Sequence, residues 1–211
     1  MIEMKKLPKT RGNVELRFAK GHFATNHSHI NYYIDVTYQK TRLSEAKEAA
    51  RQLVSSFINN TPVDTIVCLD GTAVLGTCVA QELTKSGFRT VNKHQTIYIV
   101  EPEYNVNSQM VFRGNIKSMI EGKWVLVLTA SVTTGFTAKR CVEAVEYYGG
   151  KISGVAAIYR TVDSIGEYPV RSIYDTKDFP EYASYDYREC PLCKAGQKLD
   201  ALVNGHGFSE L

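Results

Sequence analysis

Three groups of residues have the types and spacing to do chemistry. The first is Thr129, Ser131, Val132, Thr133, Thr134, Gly135, Phe136 and Thr137, a hydroxyl-rich turn between the apolar run Val125-Leu126-Val127-Leu128 and helix-spaced Cys141, Val142, Val145 and Tyr148. Hydroxyls, backbone N–H groups and the positive end of a helix dipole aimed at one spot suit a phosphate. The second is Asp70, Gly71, Thr72 and Ala73, behind a second apolar run, where glycine lets the backbone come close to an anion. Either stretch alone also reads as an ordinary strand-to-helix turn. The third is Cys190-Pro-Leu-Cys193, half of a zinc site that His206, Asp200 or a partner chain's cysteines would have to complete. A redox pair, or a small cap with reduced thiols, are the other readings of that spacing. Two of His22, His27 and His29 could share one strand face, but without a nearby carboxylate or cysteine they read as locally hydrogen-bonded surface residues.

The elements that must position these groups follow from hydrophobic periodicity. Residues 125 to 128 form a continuous apolar run, as in a strand buried on both faces, and Asp64 to Leu69 read as another buried strand. Thr96 to Val100 and Ile152 to Tyr159 add two more strands, and Val14 to Phe18 alternates like an edge strand. Helical faces appear at Ala46, Ala49, Ala50, Leu53, Val54 and Phe57, with Ser44 as the expected cap, and at Leu75, Cys78, Val79 and Leu83. Strands alternating with helices predict an α/β fold, a doubly wound and mostly parallel sheet whose ligand crevice lies beyond the strands' C-terminal ends. Both phosphate-type turns follow such ends. Glu101 to Gly122 is polar, without a sustained period, and reads as a long functional loop; Lys93 and His94 precede the strand before it. The expected organisation is an N-terminal segment at 1–40, an α/β core at 41–175 and a C-terminal extension at 176–211.

The chain has 211 residues, enough for one domain with a small appended lobe, and its 44% hydrophobic content is ordinary. A net charge of +3, with scattered basic residues, argues against nucleic acid and is compatible with a modest anionic ligand. No stretch approaches a membrane span and MIEMKKLPKT is not a signal segment, so a cytoplasmic location is expected. Five cysteines, three of them inside apolar patterns, point to reduced buried thiols.

Val125 to Thr137 resembles the phosphoribosyl diphosphate (PRPP) signature of type I phosphoribosyltransferases: four apolar residues, two acidic residues and a T-T-G-x-T turn. The resemblance implies a PRPP 5'-phosphate on 133–137, with Thr129, Ser131 and Val132 also against PRPP, diphosphate on 70–73, Mg²⁺ carried with PRPP, and a homodimer. Thr129 and Ala130 stand where the family has its acidic pair, so either a carboxylate comes from elsewhere or the site binds without catalysing. Gly21, Phe23, Tyr32 and Tyr33 are similar to the hood that orotate phosphoribosyltransferases close over the base, with Asn26 in place of the family's lysine. Asn26, Tyr32 and Tyr33 are thereby the base-binding candidates. The family's closing loop corresponds to 101–122, where Arg113 and Lys117 are the candidates for delivering positive charge. The implied reaction is phosphoribosyl transfer from PRPP to a nitrogenous base, an orotate-like pyrimidine among the candidates, with diphosphate released. The alternative is an inactive PRPP or nucleotide sensor.

Overall fold

The computed structural model describes residues 2–7, 13–55, 61–85, 91–92, 96–107 and 109–211. Phe57, Lys93 and His94 lie outside them. The chain opens with β1 (Lys5–Lys6), β2 (Arg17–Ala24) and β3 (His29–Asp35), then α1 (Thr37–Thr41) and α2 (Leu43–Val54). Next come β4 (Thr65–Cys68), α3 (Ala73–Thr84), β5 (Tyr98–Val100), β6 (Glu103–Tyr104), β7 (Met110–Val111) and α4 (Gly114–Lys117). The signature unit is β8 (Trp124–Val132) and α5 (Phe136–Tyr147), followed by β9 (Lys151–Arg160), β10 (Ser164–Ile165) and β11 (Tyr168–Tyr174). The extension holds β12 (Ser184–Tyr185), α6 (Pro191–Lys194), β13 (Ala201–Asn204) and β14 (Gly207–Glu210).

Five strands run parallel in the order β11-β9-β8-β4-β5, with β10 antiparallel at one edge. The apolar runs form its centre: Val125, Leu126, Val127 and Leu128 are fully buried. One face packs Ala46, Ala49, Ala50 and Leu53 of α2 and Leu75, Val79 and Leu83 of α3 against Ile66, Leu126 and Leu128. The other packs Cys141, Val142 and Val145 of α5 against Val67, Val125 and Val127. Helices cover both faces, as the continuous strands require.

Several expectations are corrected. Ser44 lies inside α2, whose capping position is Arg42, with no side-chain cap. Residues 101–122 are not one long loop. They contain the β6–β7 hairpin, whose turn is closed by the Asn105 carboxamide oxygen accepting from the N–H groups of Asn107 and Gln109, and helix α4. Two-residue strands are too short to show a period. Gly21 to Ala24 continues β2 past a register shift between Lys20 and Phe23.

The N-terminal segment and the C-terminal extension form one second sheet in the order β12-β3-β2-β13-β14, with β1 also on β2. β13 lies parallel to β2, pairing Ala201 with Phe23, and β12 lies antiparallel to β3, pairing Tyr185 with His29. Phe23, Ile30, Tyr33, Ala201 and Val203 are its small core. No helix among the described residues is long and apolar enough to cross a membrane.

Candidate functional site

A cavity of about 460 Å³ opens where the C-terminal ends of β4, β8 and β9 meet the second sheet, lined by Asp70, Ser131, Thr133, Thr134, Phe136, Thr137, Arg140 and Tyr159. That volume is in the range of small-molecule sites. The second sheet contributes Asn26, Tyr32 and Tyr33, the extension contributes Tyr182 and Asn204 to His206, and the β6–β7 hairpin contributes Tyr104 and Met110.

The turn after β8 is built by Gly135, which takes φ +76° and caps α5; a Cβ there would meet Ile165 Cδ1 at 2.7 Å. Only glycine combines that dihedral with that approach. The Val132 carbonyl accepts from the Thr161 N–H, and the Thr133 carbonyl accepts from the Thr161 hydroxyl at 2.5 Å, so the turn is tied to the end of β9. Val132 itself points into the core, which leaves its main chain alone to face a ligand. Gly135 lines a second, adjoining cavity with His27 and Lys139.

The turn after β4 is Leu69-Asp70-Gly71-Thr72, closed by the Thr72 N–H donating to the Leu69 carbonyl at 3.1 Å. Asp70 and Gly71 both have positive φ, +55° and +71°, as an Asp-Gly turn of the primed type allows. The Thr72 hydroxyl is buried and donates to the Leu69 and Leu128 carbonyls, so it braces the loop. Ala73 begins α3. Of these four residues, Asp70 lines the cavity.

Thr129 and Ala130 do not face the cavity. Ala130 is buried on the α2 and α3 side, and the buried Thr129 hydroxyl donates to Asp70 Oδ2 at 2.6 Å. Asp70 is thus the carboxylate among the described lining residues, held by the residue that replaces the first acid of the signature. Sequence gave no sign of it, because the two residues lie 59 apart and meet only through the β4–β8 pairing.

The buried Lys40 ammonium donates to the Asp70 and Gly205 carbonyls, joining the loop to the tip of the β13–β14 hairpin. Burial pulls its pKa down, against the opposing pull of Asp70 and Asp35. Gly205 sits so close that a Cβ would lie 2.4 Å from Asp70 Oδ1. His206 lies over Gly71 at this tip and is not near Cys190 or Cys193 as a ligand.

Tyr32 and Tyr33 are buried side by side on β3. The Tyr32 hydroxyl donates to Glu181, which with burial pushes its pKa up to about 12; burial, then Asp35, does the same for Tyr33. The buried Tyr159 hydroxyl, at the end of β9, has no protein partner among the described residues. Arg113 is bound twice by Glu103 across the β6–β7 hairpin, at 2.8 and 2.6 Å, and Lys117 pairs with Glu121 at 3.8 Å. Neither lines the cavity, so the hairpin reaches it through Tyr104 and Met110 instead.

An orotate phosphoribosyltransferase of Caldanaerobacter subterraneus is 30% identical to this chain over 186 residues, 85% of this chain and 87% of the relative. The chain belongs to the orotate phosphoribosyltransferase family. A second member, from Chlorobium phaeobacteroides, is 27% identical over 191 residues, 86% of either chain. No family model matches. Among solved structures, a phosphoribosyltransferase from Corynebacterium diphtheriae superposes with a TM-score of 0.51 at 18% identity, covering 71% of this chain and 86% of that one. The adenine phosphoribosyltransferase of Leishmania donovani gives 0.51 at 15% identity, covering 72% and 73%. At these identities the likeness bears on the fold, the type I phosphoribosyltransferase fold that the resemblance of Val125 to Thr137 implies.

Proposed function

We propose that this chain binds PRPP in the crevice and transfers its phosphoribosyl group to a nitrogenous base, releasing diphosphate. The observation that carries the reading is that two anion-type turns and the aromatic pair of the second sheet converge on one cavity at the strands' C-terminal ends. The names of the curated relatives support the same reaction class.

The turn 133–137 takes the 5'-phosphate on main-chain amides and the Thr134 and Thr137 hydroxyls at the N-terminus of α5, with Arg140 one turn in. The Asp70 loop takes the diphosphate end. A Mg²⁺ ion fits there, because Asp70 offers a hard oxygen ligand beside the diphosphate oxygens, and when bound it neutralises the leaving group's charge. Asp70, braced by Thr129, replaces the charge missing at 129 and 130. As the bond from C1 to the diphosphate oxygen lengthens, positive charge grows on the ribose, and a fixed carboxylate in a shielded site stabilises it. The base nitrogen then bonds to C1. Tyr32 and Tyr33, which point to opposite faces of β3 and both border the crevice, flank the base, and the Tyr159 hydroxyl and the Asn26 carboxamide supply hydrogen bonds to its edge. Asn26 is neutral, so a base that carries a carboxylate has no counter-charge at that position. Uncharged bases are therefore the better match than orotate.

Diphosphate release from PRPP and Mg²⁺, followed across a panel of bases, tests the reaction. Release above the no-protein background with at least one base is expected. PRPP binding with release at background for all of them would leave a nucleotide sensor in its place.

A further inference from the structure

Where the second sheet meets the extension, four side chains converge: His22 on β2, His29 at the start of β3, Cys190 just before α6 and Cys193 within it. Their ligand atoms all lie within 4.8 Å of one another. His22 Nε2 lies 3.1 Å from His29 Nδ1, 3.5 Å from Cys190 Sγ and 3.6 Å from Cys193 Sγ, and His29 Nδ1 lies 3.3 Å from Cys193 Sγ. A tetrahedron with Zn–N bonds of about 2.05 Å and Zn–S bonds of about 2.3 Å has edges of roughly 3.3 Å between nitrogens and roughly 3.6 Å between nitrogen and sulfur. These four separations lie within about 0.3 Å of those edges.

Hydrogen bonding alone does not account for the cluster. His22 Nδ1 lies 2.9 Å from the Gln197 carbonyl, which can only accept, so Nδ1 carries the proton and Nε2 presents a lone pair. That one lone pair faces three groups. It can accept one proton, or it can bind one cation that the other three atoms also bind. The carbonyl on Nδ1 is also the outer-shell partner that metal-bound histidines ordinarily have.

We propose that His22 Nε2, His29 Nδ1, Cys190 Sγ and Cys193 Sγ bind a zinc ion. Four protein ligands close the coordination sphere, which makes the site structural, and the mixed nitrogen and sulfur donors select zinc over the hard cations. His22 and Cys190 are fully buried, while Cys193 is exposed and gives the ion its route in. The site joins the two ends of the chain. The same region is fastened by Asp200, whose Oδ2 accepts from the His22 N–H at 2.7 Å while its own N–H donates to the His22 carbonyl at 2.8 Å. Gly21 permits this approach, since a Cβ there would meet Asp200 Oδ2 at 2.6 Å. Asp200 leads directly into β13, so the zinc holds the hairpin whose tip walls the crevice.

The test is elemental analysis of the full chain purified without added metal, which is independent of any PRPP chemistry. About one zinc per chain is expected, falling below about 0.2 in Cys193→Ser and in His29→Ala and unchanged in His27→Ala. Because those variants could unfold, Co²⁺ is also added to the wild-type protein after chelator treatment. Intense visible absorption of tetrahedral Co²⁺, with a thiolate charge-transfer band, supports the site. Four outcomes would overturn the proposal: wild-type protein free of metal, iron in place of zinc, a Cys190–Cys193 disulfide seen as a mass lower by two hydrogens, or the weak absorption of octahedral Co²⁺.

Discussion

The Thr129 hydroxyl donates to Asp70 Oδ2 at 2.6 Å, across the pairing of β4 with β8. A carboxylate thus reaches the crevice from the loop after the neighbouring strand, and Thr129, in the first acidic position of the signature, holds it.

Restoring an acid at position 129 should therefore do harm. Thr129→Asp sets a second carboxylate against Asp70, and two acids so close share a proton, raising one folded-state pKa above its unfolded value. Stability is then kept below the ordinary carboxylate range and lost as pH rises through it. A cost of about 1 to 3 kcal/mol at neutral pH is expected, relieved in acid and by adding Asp70→Asn. Thermal melts at both pH values check this, and a variant as stable as wild type at neutral pH would contradict the pairing.

Gly205→Ala should loosen the hairpin tip. Its Cβ would lie 2.4 Å from Asp70 Oδ1, so the tip must move and the Lys40 bridge must stretch. Urea titration should show a loss of about 1 to 3 kcal/mol, and the KM for PRPP should rise. An unchanged KM would separate the tip from the crevice.

Tyr159→Phe removes a buried hydroxyl with no protein partner, so the melting temperature should hold or rise. Affinity for the base should nevertheless fall by up to about tenfold, the worth of one hydrogen bond. A drop in stability with unchanged base affinity would show that the hydroxyl serves the fold.

Alkaline conditions should unfold the protein early. Burial pushes the Cys68 thiol up to about 12, and Tyr32 and Tyr33 are held at about 12. All three are acids whose folded pKa lies above the ordinary value. Their contribution is complete below about pH 9 and is lost as pH rises towards about 12. Melting temperature measured over that window should fall steadily, and less steeply in Tyr33→Phe; a flat profile would contradict the assignment.

The strand, turn and helix units were legible because buried parallel strands write continuous apolar runs, as at Val125 to Leu128, and their helices repeat at 3.6 residues. Both turns at the crevice were legible for the same reason. What joins distant segments was not. Cys190 and Cys193 announce half a metal site, but His22 stands 168 residues away, at the register shift of β2 between Lys20 and Phe23. A bulge re-aims one side chain and breaks the period that would have revealed the strand. Arg113 and Lys117 looked available because an ion pair such as Arg113 with Glu103 leaves no periodic trace.

The central claim is that the crevice holds a sugar diphosphate between two turns, and the structure of the protein with PRPP and Mg²⁺ tests it most directly. The 5'-phosphate should lie within hydrogen-bond distance of the 134–137 amides, with the diphosphate against the Asp70 loop. Phosphate groups bound elsewhere, with the 133–137 turn empty, would contradict the account.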